Sequence, residues 1–523
     1  MQKEIMQSYL PQDAVAEIFD DAAVFEVPSA EIKHVVEELC VRHGAEFKLM
    51  TATDERAEHD CFKIWYVFGV PGEHFFLVPF IRLQDTEIFP SIASMVGRAM
   101  DDERRIKTFF GLTPLEHPDL RPIILHEHWP EDVFPLRKDC NWKTRPRMES
   151  GEYVFQKVEG EGIYEIPVGP IHAGIIEPGH FRFSMAGEHI MLLEPRLGYV
   201  HKGSEKLFEV LPLEEKITLA EKISGDSSFG HSLAFCQALE SLSDTHPSER
   251  ALSLRVVYAE LERLANHFGD LGAIMMDTGY SFGGAHGARM RERMMQINER
   301  LTGSRFLRGV NAVGGVCKDV NDTEVKALLA ELQEISEDFS EVIAVTEESV
   351  SLLNRLKGAG VISLKIAQQE GLVGVAAKAV GIARDTRLDY PYAAYRDWAL
   401  ADIATETSGD VYARFRVRIK EAHASIRIIQ AVLDQLPKGA IHPKNKKVTF
   451  KKNALSVSAV EGWRGEIVYV VKTNEKGTIS RVVPRDPSCV NWAALKHAGY
   501  DNVIPDFPLI NKSFNLSYSG NDM

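Results

Sequence analysis

The spacing of hydrophobic positions changes along this chain, and the change predicts two kinds of architecture. Early on, aromatic and β-branched residues come in runs. Phe62-Lys63-Ile64-Trp65-Tyr66-Val67-Phe68 and His74-Phe75-Phe76-Leu77-Val78-Pro79-Phe80 flank the turn formers Pro71-Gly72-Glu73. Such runs on either side of a short turn predict an antiparallel hairpin. A helix is predicted from Ser91 to Arg105, so residues 1–140 read as a small α+β domain. Residues 141–165 are mixed polar and strand-like and read as a linker.

From residue 166 the period is mainly helical. Leu213 to Ile223 and His231 to Leu242 are amphipathic segments separated by the turn formers Ser224-Gly225-Asp226-Ser227-Ser228. A longer helix is predicted after Pro247, with Ser248 as N-cap and Leu254, Val257, Leu261, Leu264, Phe268 and Leu271 at helical spacing. Further helices are predicted from Ala288 to Leu301, Thr323 to Leu356 and Val411 to Leu436. Strand character returns over Val448 to Val483, where Ile467-Val468-Tyr469-Val470-Val471 and Ile479-Ser480-Arg481-Val482-Val483 are joined through Asn474-Glu475-Lys476-Gly477. The expected fold class is therefore α+β: a small α+β domain, then a mainly α-helical domain over 166–523 with a small β-sheet.

Composition narrows the function. The 523 residues are 45% apolar and 26% charged, with a net charge of −15, as expected of a multi-domain globular chain. No block of Lys or Arg interrupts that acidity, so nucleic acid is not an expected partner, and direct docking on anionic lipid is disfavoured. The longest early apolar run, Ile64 to Val70, stops at Pro71-Gly72 and is too short to span a membrane. No direct membrane span is expected, and the opening Met1-Gln2-Lys3-Glu4 carries no export signal. Among Cys40, Cys61, Cys140, Cys236, Cys317 and Cys489 no two form a C-x-x-C pair. That disfavours a zinc ribbon or an iron–sulfur cluster held by this chain, and predicts small buried thiols in a reducing cytoplasm.

Longer runs carry a family resemblance. Met95 to Asp139, with Asp102-Glu103-Arg104, Phe109-Phe110-Gly111-Leu112, Glu116-His117-Pro118-Asp119-Leu120-Arg121 and Phe134-Pro135-Leu136-Arg137-Lys138-Asp139, resembles the small peripheral-arm subunit of complex I. The remainder resembles the large subunit of group 4 nickel–iron hydrogenases and its complex I homologue, the quinone-site subunit. The runs that carry this are Gly169-Pro170-Ile171-His172-Ala173-Gly174, Glu177-Pro178-Gly179-His180-Phe181-Arg182-Phe183 and Leu197-Gly198-Tyr199-Val200-His201-Lys202-Gly203-Ser204-Glu205-Lys206-Leu207. Later ones are His231-Ser232-Leu233-Ala234-Phe235-Cys236, Gly381-Ile382-Ala383-Arg384-Asp385, Pro391-Tyr392-Ala393-Ala394-Tyr395 and Gly409-Asp410-Val411-Tyr412. Fusion of the two parts is a hallmark of the formate-hydrogenlyase and hydrogenase-4 type.

The resemblance implies a specific loss. In those hydrogenases two C-x-x-C pairs bridge nickel to iron, because soft thiolates hold both metals. The first pattern, C-G-x-C-x-x-x-H, is answered here by Ser224-Gly225-Asp226-Ser227-Ser228-Phe229-Gly230-His231. The second pair follows Asp-Pro; Asp486-Pro487-Ser488-Cys489-Val490-Asn491 puts Ser488 and Asn491 at the ligand positions, with Cys489 one residue out of place and pointing elsewhere. No nickel–iron centre is expected, and no cofactor bound by this chain other than a quinone in the vacated cavity. Iron–sulfur clusters are expected in a partner subunit.

The resemblance also nominates site residues. Glu177 stands where the hydrogenases carry their proton-relaying acid, in a turn beside His172 and His180; otherwise it is a solvated or salt-bridged surface group. Arg464, in Glu461-Gly462-Trp463-Arg464-Gly465, matches the arginine that overhangs the metals, Trp463 replacing a proline; otherwise it pairs with Glu461 or Asp486. His231 heads a helix, as a site residue or as a cap. Catalytic roles are assigned to Glu177, His231, Arg464 and Asp486, lining one cavity, and ligand-binding roles to His172 and Asp226. Asp226 and Ser227 are otherwise turn residues; Lys202, Glu205, Glu260, Arg263 and His267 are expected in ion pairs within the bundle.

Two function classes compete. One is the soluble-arm subunit of a membrane-bound, ion-translocating oxidoreductase, its cavity taking a quinone or another small molecule; against a strict quinone site, Ile176 replaces the motif's second histidine. The other is a non-catalytic scaffold linking an iron–sulfur subunit to membrane subunits. An active hydrogenase is a distant third. Expected partners are a small iron–sulfur subunit and antiporter-like membrane subunits, at the cytoplasmic face of the inner membrane.

Overall fold

The computed structural model describes residues 2–11, 14–173, 176–398, 403–442 and 448–523; Gly174 of the glycine–proline–histidine run lies outside them. The aromatic runs form the Phe62–Val70 and Phe75–Leu83 strands, paired antiparallel with Phe68 opposite Leu77. They sit inside a five-stranded sheet ordered Ala16–Ile18, Ala22–Glu26, Phe75–Leu83, Phe62–Val70, Glu46–Asp54. Both faces of this sheet are covered, which explains why its strands read as near-continuous apolar runs. Ile64, Tyr66 and Phe68 pack towards the Ala99–Phe110 helix, in a core drawn from residues 6–136.

On the other face Trp65, Val67, Phe76, Val78 and Phe80 meet Leu455, Val457, Val468 and Val470. Those four belong to a three-stranded antiparallel sheet, Leu455–Gly462, Gly465–Thr473 and Ile479–Arg485, whose opposite face (Ile467, Tyr469, Val471) joins the helical core. The layers are therefore helix, sheet, sheet and helix bundle. At the bundle's centre the Glu249–Asp277 helix is capped by Ser248 Oγ, which accepts the Ala251 N–H at 3.1 Å. It packs against the Ser281–Thr302 and Val411–Asp434 helices.

Three expectations are corrected. The Ser91–Arg105 helix is displaced to Ala99–Phe110, because the buried Glu103 carboxylate accepts from Ser91 Oγ and the Ile92 N–H at 2.6 Å each and holds 91–92 out of the helix. The long helix from Thr323 breaks into Asp322–Glu347 and Val350–Leu356. A three-stranded antiparallel sheet, Ile163–Val168, His180–Ala186 and His189–Arg196, precedes the first bundle helices, where a helical period was expected. Its first strand is largely exposed, so it lacks the apolar run that marks a buried strand. Of the thiols, Cys61 and Cys236 are buried but Cys317 is exposed. Among the described residues no helix is long and apolar enough to cross a membrane.

Candidate functional site

Four segments converge at the inner end of the second sheet. They are the Ser224–Ser227 turn before the Ser228–Ser243 helix, the Trp463-Arg464 hairpin turn, Asp486 after the last strand, and Ser517, which N-caps the C-terminal helix Tyr518–Asp522. The hairpin turn needs glycine at its exit. Gly465 has φ +137°, and a Cβ there would lie 2.8 Å from the Gly374 nitrogen.

Arg464 does not pair with Glu461 or Asp486. Its Nη1 and Nη2 donate to the two Asp226 carboxylate oxygens at 2.6 and 2.7 Å, a two-pronged contact. Nε donates to the Asn515 carbonyl, and the guanidinium lies 3.9 Å from the Trp463 ring centroid. The Trp463 indole donates to the Asp226 carbonyl at 3.1 Å, as does the Asn266 amide at 2.9 Å, so the turn is pinned from two sides. Burial pushes the Asp226 carboxyl up, but Arg464 outweighs it and the net shift is downward. Asp226 is thus ionised at neutral pH.

His231 and Asp486 are fully buried and pair through Nε2 and Oδ2 at 2.9 Å. Burial raises the Asp486 carboxyl, while the His231 contact and Arg464 more than offset it, leaving the net shift downward. An ionised carboxylate only accepts, so Nε2 carries the hydrogen, and Nδ1 lies 3.0 Å from the Tyr469 hydroxyl. Burial, with Asp486 next, drives that hydroxyl far above its usual range, so it stays protonated. His231 is therefore no mere helix cap.

The structure redraws the ligand positions. Ser224 Oγ contacts Ser517 Oγ at 2.8 Å and Asp226 Oδ1 at 3.0 Å, and Ser227 Oγ lies 3.4 Å from Arg464 Nη1. Ser488 is one step removed, its Oγ accepting the Ser517 N–H at 2.9 Å. Asn491 faces away and holds the Val373 backbone with two bonds of 3.1 Å. The side chain that meets Ser224 is thus Ser517, and Ser517-Tyr518-Ser519-Gly520 repeats the spacing of Ser224-Gly225-Asp226-Ser227. Cys489 does point elsewhere, its thiol 3.4 Å from the Gly520 carbonyl and pushed up to about 12 by burial.

Glu177 and His172 stand apart from this cluster. Glu177 is exposed and accepts the Ser519 N–H at 3.0 Å, at the outer edge of the C-terminal helix. His172 is half-buried, with Nε2 2.7 Å from the Gly179 carbonyl oxygen. Of the six nominated residues, His231, Asp486, Arg464 and Asp226 come together; Glu177 touches the site only through Ser519, and His172 does not reach it.

Sequence reasoning passed over several contributors. Glu262 accepts the Phe229 and Gly230 N–H groups at 2.7 and 3.0 Å and anchors the helix bearing His231; burial pushes its carboxyl up to about 8. Lys202, expected in a bundle ion pair, makes none among the described residues; its Nζ instead donates to the Lys222 and Ile223 carbonyls at 2.6 and 3.1 Å, closing the chain just before the serine turn. Behind Trp463, Lys378 reaches Asp385 and Glu421 at 2.7 Å each and Glu461 at 3.3 Å. Arg263 pairs with Glu260 at 3.2 Å, His267 with Glu421 at 2.8 Å, and Glu205 with Arg481. These are the bundle ion pairs expected.

A nickel–iron pair does not fit this donor set. Hydroxyls at Ser224, Ser227 and Ser517 and no side chain at Gly520 replace soft thiolates, and these hydroxyls are bonded to Asp226, Arg464 and one another. Among the described residues no three His, Cys, Asp or Glu side chains are grouped to hold a metal.

Comparison with known proteins agrees with the fused layout. Residues 25–146 match the family described as respiratory-chain NADH dehydrogenase, 30 Kd subunit, and residues 277–458 the 49 Kd subunit family. Hydrogenase-4 component G of Escherichia coli (strain K12) is 31% identical over 494 residues, covering 93% of this chain and 86% of that protein. Formate hydrogenlyase subunit 5 of the same organism is 29% identical over 498 residues, covering 94% and 87%. An NADH-quinone oxidoreductase subunit of Phocaeicola vulgatus is 31% identical over 409 residues, covering 74% and 78%. With the two subunit families in tandem and relatives matched nearly end to end, the chain belongs to the family of fused 30 Kd–49 Kd respiratory NADH dehydrogenase subunits that includes hydrogenase-4 component G.

Proposed function

We propose that this chain is the soluble-arm subunit of a membrane-bound, ion-translocating oxidoreductase complex that works without a nickel–iron centre. The supporting observation is the hydroxyl cluster: where hydrogenase thiolates would converge, Ser224, Ser227 and Ser517 are tied to the Asp226–Arg464 pair. Relatives named as NADH-quinone oxidoreductase, hydrogenase and formate hydrogenlyase subunits support the setting. A small iron–sulfur subunit docks beside Gly225–His231 and delivers electrons; antiporter-like membrane subunits carry the ion path and hold the chain at the cytoplasmic face of the inner membrane.

Within this chain, the buried His231–Asp486 pair with Tyr469 is the group suited to hold or pass a proton, and Arg464 to orient a polar ligand such as a quinone oxygen. A scaffold role is the second reading, favoured by the closure of Arg464 on Asp226. Elemental analysis of the native complex tests the first claim: no stoichiometric nickel and no hydrogen uptake are expected, and nickel with hydrogen uptake overturns it. The Glu177→Gln variant tests whether proton relay reaches the exposed Glu177: a normally assembled complex with slower turnover supports it, and unchanged turnover removes Glu177. Asp486→Asn separates the two readings, since unchanged turnover in an assembled complex moves the scaffold ahead. Deleting the membrane partners is expected to release the chain from the membrane fraction.

A further inference from the structure

The ion pairs behind Trp463 form a closed buried network whose charges do not balance. Four carboxylates, those of Glu260, Asp385, Glu421 and Glu461, meet three cations, Arg263, Lys378 and Arg387, and one histidine, His267. None of these side chains is more than 5% exposed, and no other charged group among the described residues bridges to them. The charges around the network have partners of their own. Arg418 meets Asp270 at 2.7 Å, Arg464 is committed to Asp226, and Glu262, pushed up to about 8 by burial, is largely uncharged at neutral pH. Asp389, whose carboxylate accepts the Asp385 N–H, faces Arg384 at 3.6 Å, and Lys48 and Arg98 turn to Glu466.

One carboxylate is therefore in excess, and the contacts show where a compensating proton belongs. His267 does not carry it. Its Nε2 meets Glu421 at 2.8 Å, but Nδ1 has no partner among the described residues, so a second ring N–H would be buried unsatisfied. Glu260 is held by two guanidiniums, at 2.9 and 3.2 Å. Asp385 has Arg387 and Lys378 at 2.7 Å each, and Glu421 has Lys378 at 2.7 Å besides His267. Glu461 has only Lys378, at 3.3 Å, the longest of that ammonium's three contacts. It is the least compensated of the four, and an uncompensated buried carboxylate takes a proton.

The surroundings of Glu461 suit both protonation states. Oε2 lies 3.0 Å from the Thr386 N–H and 2.8 Å from the Thr386 hydroxyl. The hydroxyl donates to the ionised carboxylate and accepts from the protonated one, so neither form is left without a partner. Burial, with Asp385 next, holds the Glu461 carboxyl above its usual range, against the opposing pull of Lys378, Arg263 and Arg387. A cavity of about 470 Å³ between the two halves of the chain has Phe47 and Gly97 on one wall and Leu372, Thr386 and Glu461 on the other.

We propose that this network is a proton-binding site, in which Glu461 holds one exchangeable proton gained from and returned to the cavity between the halves. The proton sits at the base of the hairpin turn that carries Arg464. The claim concerns protonation alone and stands under either reading of the function.

Infrared spectra of the purified full-length chain at neutral pH, in light and heavy water, test it. The carbonyl stretch of protonated carboxyls is expected to be smaller by one group in Glu461→Gln. It should be displaced in Thr386→Val, which removes only the hydroxyl partner. In heavy water the component lost in Glu461→Gln should shift ahead of core amide exchange, as solvent from the cavity reaches it. Stability gives a second readout. The raised wild-type carboxyl contributes stability that is present in acid and lost as pH rises through its folded value. The wild-type melting temperature should therefore fall relative to that of Glu461→Gln over that rise. An undiminished carboxyl signal in folded Glu461→Gln, a component unshifted in heavy water, or a melting difference constant with pH overturns the proposal. If Glu461→Gln does not fold, Thr386→Val decides, and an undisplaced signal there overturns it.

Discussion

Replacing Arg464 by Met removes one partner of the ion pair that closes the site. Breaking a buried pair costs about 3–5 kcal/mol, because a charge is left uncompensated. The Arg464 side chain is 4% exposed, but that of Asp226 is 32% exposed, so water takes over part of the carboxylate. About 2–3 kcal/mol of lost stability is the resulting expectation. Arg464→Lys keeps the charge but loses one prong to Asp226 and the Nε bond to Asn515, and should cost about 1–2 kcal/mol. In the wild type Asp226 is held below the ordinary carboxylate range. Its stabilising contribution is complete above that range and is lost only as pH falls through the depressed value. In Arg464→Met the lowering by the guanidinium is gone while burial and Asp486 still raise Asp226 against the Ser224 hydrogen bond, so protonation relieves the variant as pH falls. The stability gap between the two proteins should therefore narrow as pH falls below neutral. Urea unfolding followed by tryptophan fluorescence reads both the gap and its pH dependence, Trp463 lying directly against the guanidinium. A gap below about 0.5 kcal/mol, or one that does not narrow as pH falls, would refute the reasoning.

Asp486→Asn keeps the shape but removes the charge from the His231 pair, and should lower stability by about 2–4 kcal/mol with normal secondary structure by circular dichroism; a neutral result would mean that the pair is not ionic. Lys378→Met strands Asp385, Glu421 and Glu461 around an apolar side chain, so a loss of about 3–5 kcal/mol is expected, smaller at lower pH as a carboxylate there protonates; a melting temperature unchanged at pH 7 contradicts it. The Ser224–Ser517 contact is a bond between neutral groups, and Ser517→Ala should cost about 1 kcal/mol in the same assay.

Local patterns were legible wherever neighbouring residues decided the outcome. The Phe62–Val70 and Phe75–Leu83 hairpin, the Ser248 cap and the strands joined through Asn474–Gly477 all depend on short-range periodicity and turn chemistry. The displaced first helix was not legible, because Glu103 reaches back to Ser91 and Ile92 only in the folded chain. At the site, the residue types were readable but their partners were not. Asp226 meets Arg464 across 238 positions, and Ser224 meets Ser517 across 293. Asp486-Pro487 sits close enough to the C-terminus to imitate a ligand motif, and only the three-dimensional contact moves the pairing to Ser517.

The sheet-on-sheet contact has a consequence for synthesis. Trp65, Val67 and Phe80 leave the ribosome well before Val468, Val470 and Val483, which cover them. For most of translation the first sheet must present an aromatic, aliphatic face with nothing to seal it, a surface that invites association with other nascent chains. Chains truncated before residue 455 would keep that face open, and aggregation or chaperone capture is the expected outcome for them. Carrying both halves on one polypeptide guarantees that the lid arrives with every copy of the surface it must close.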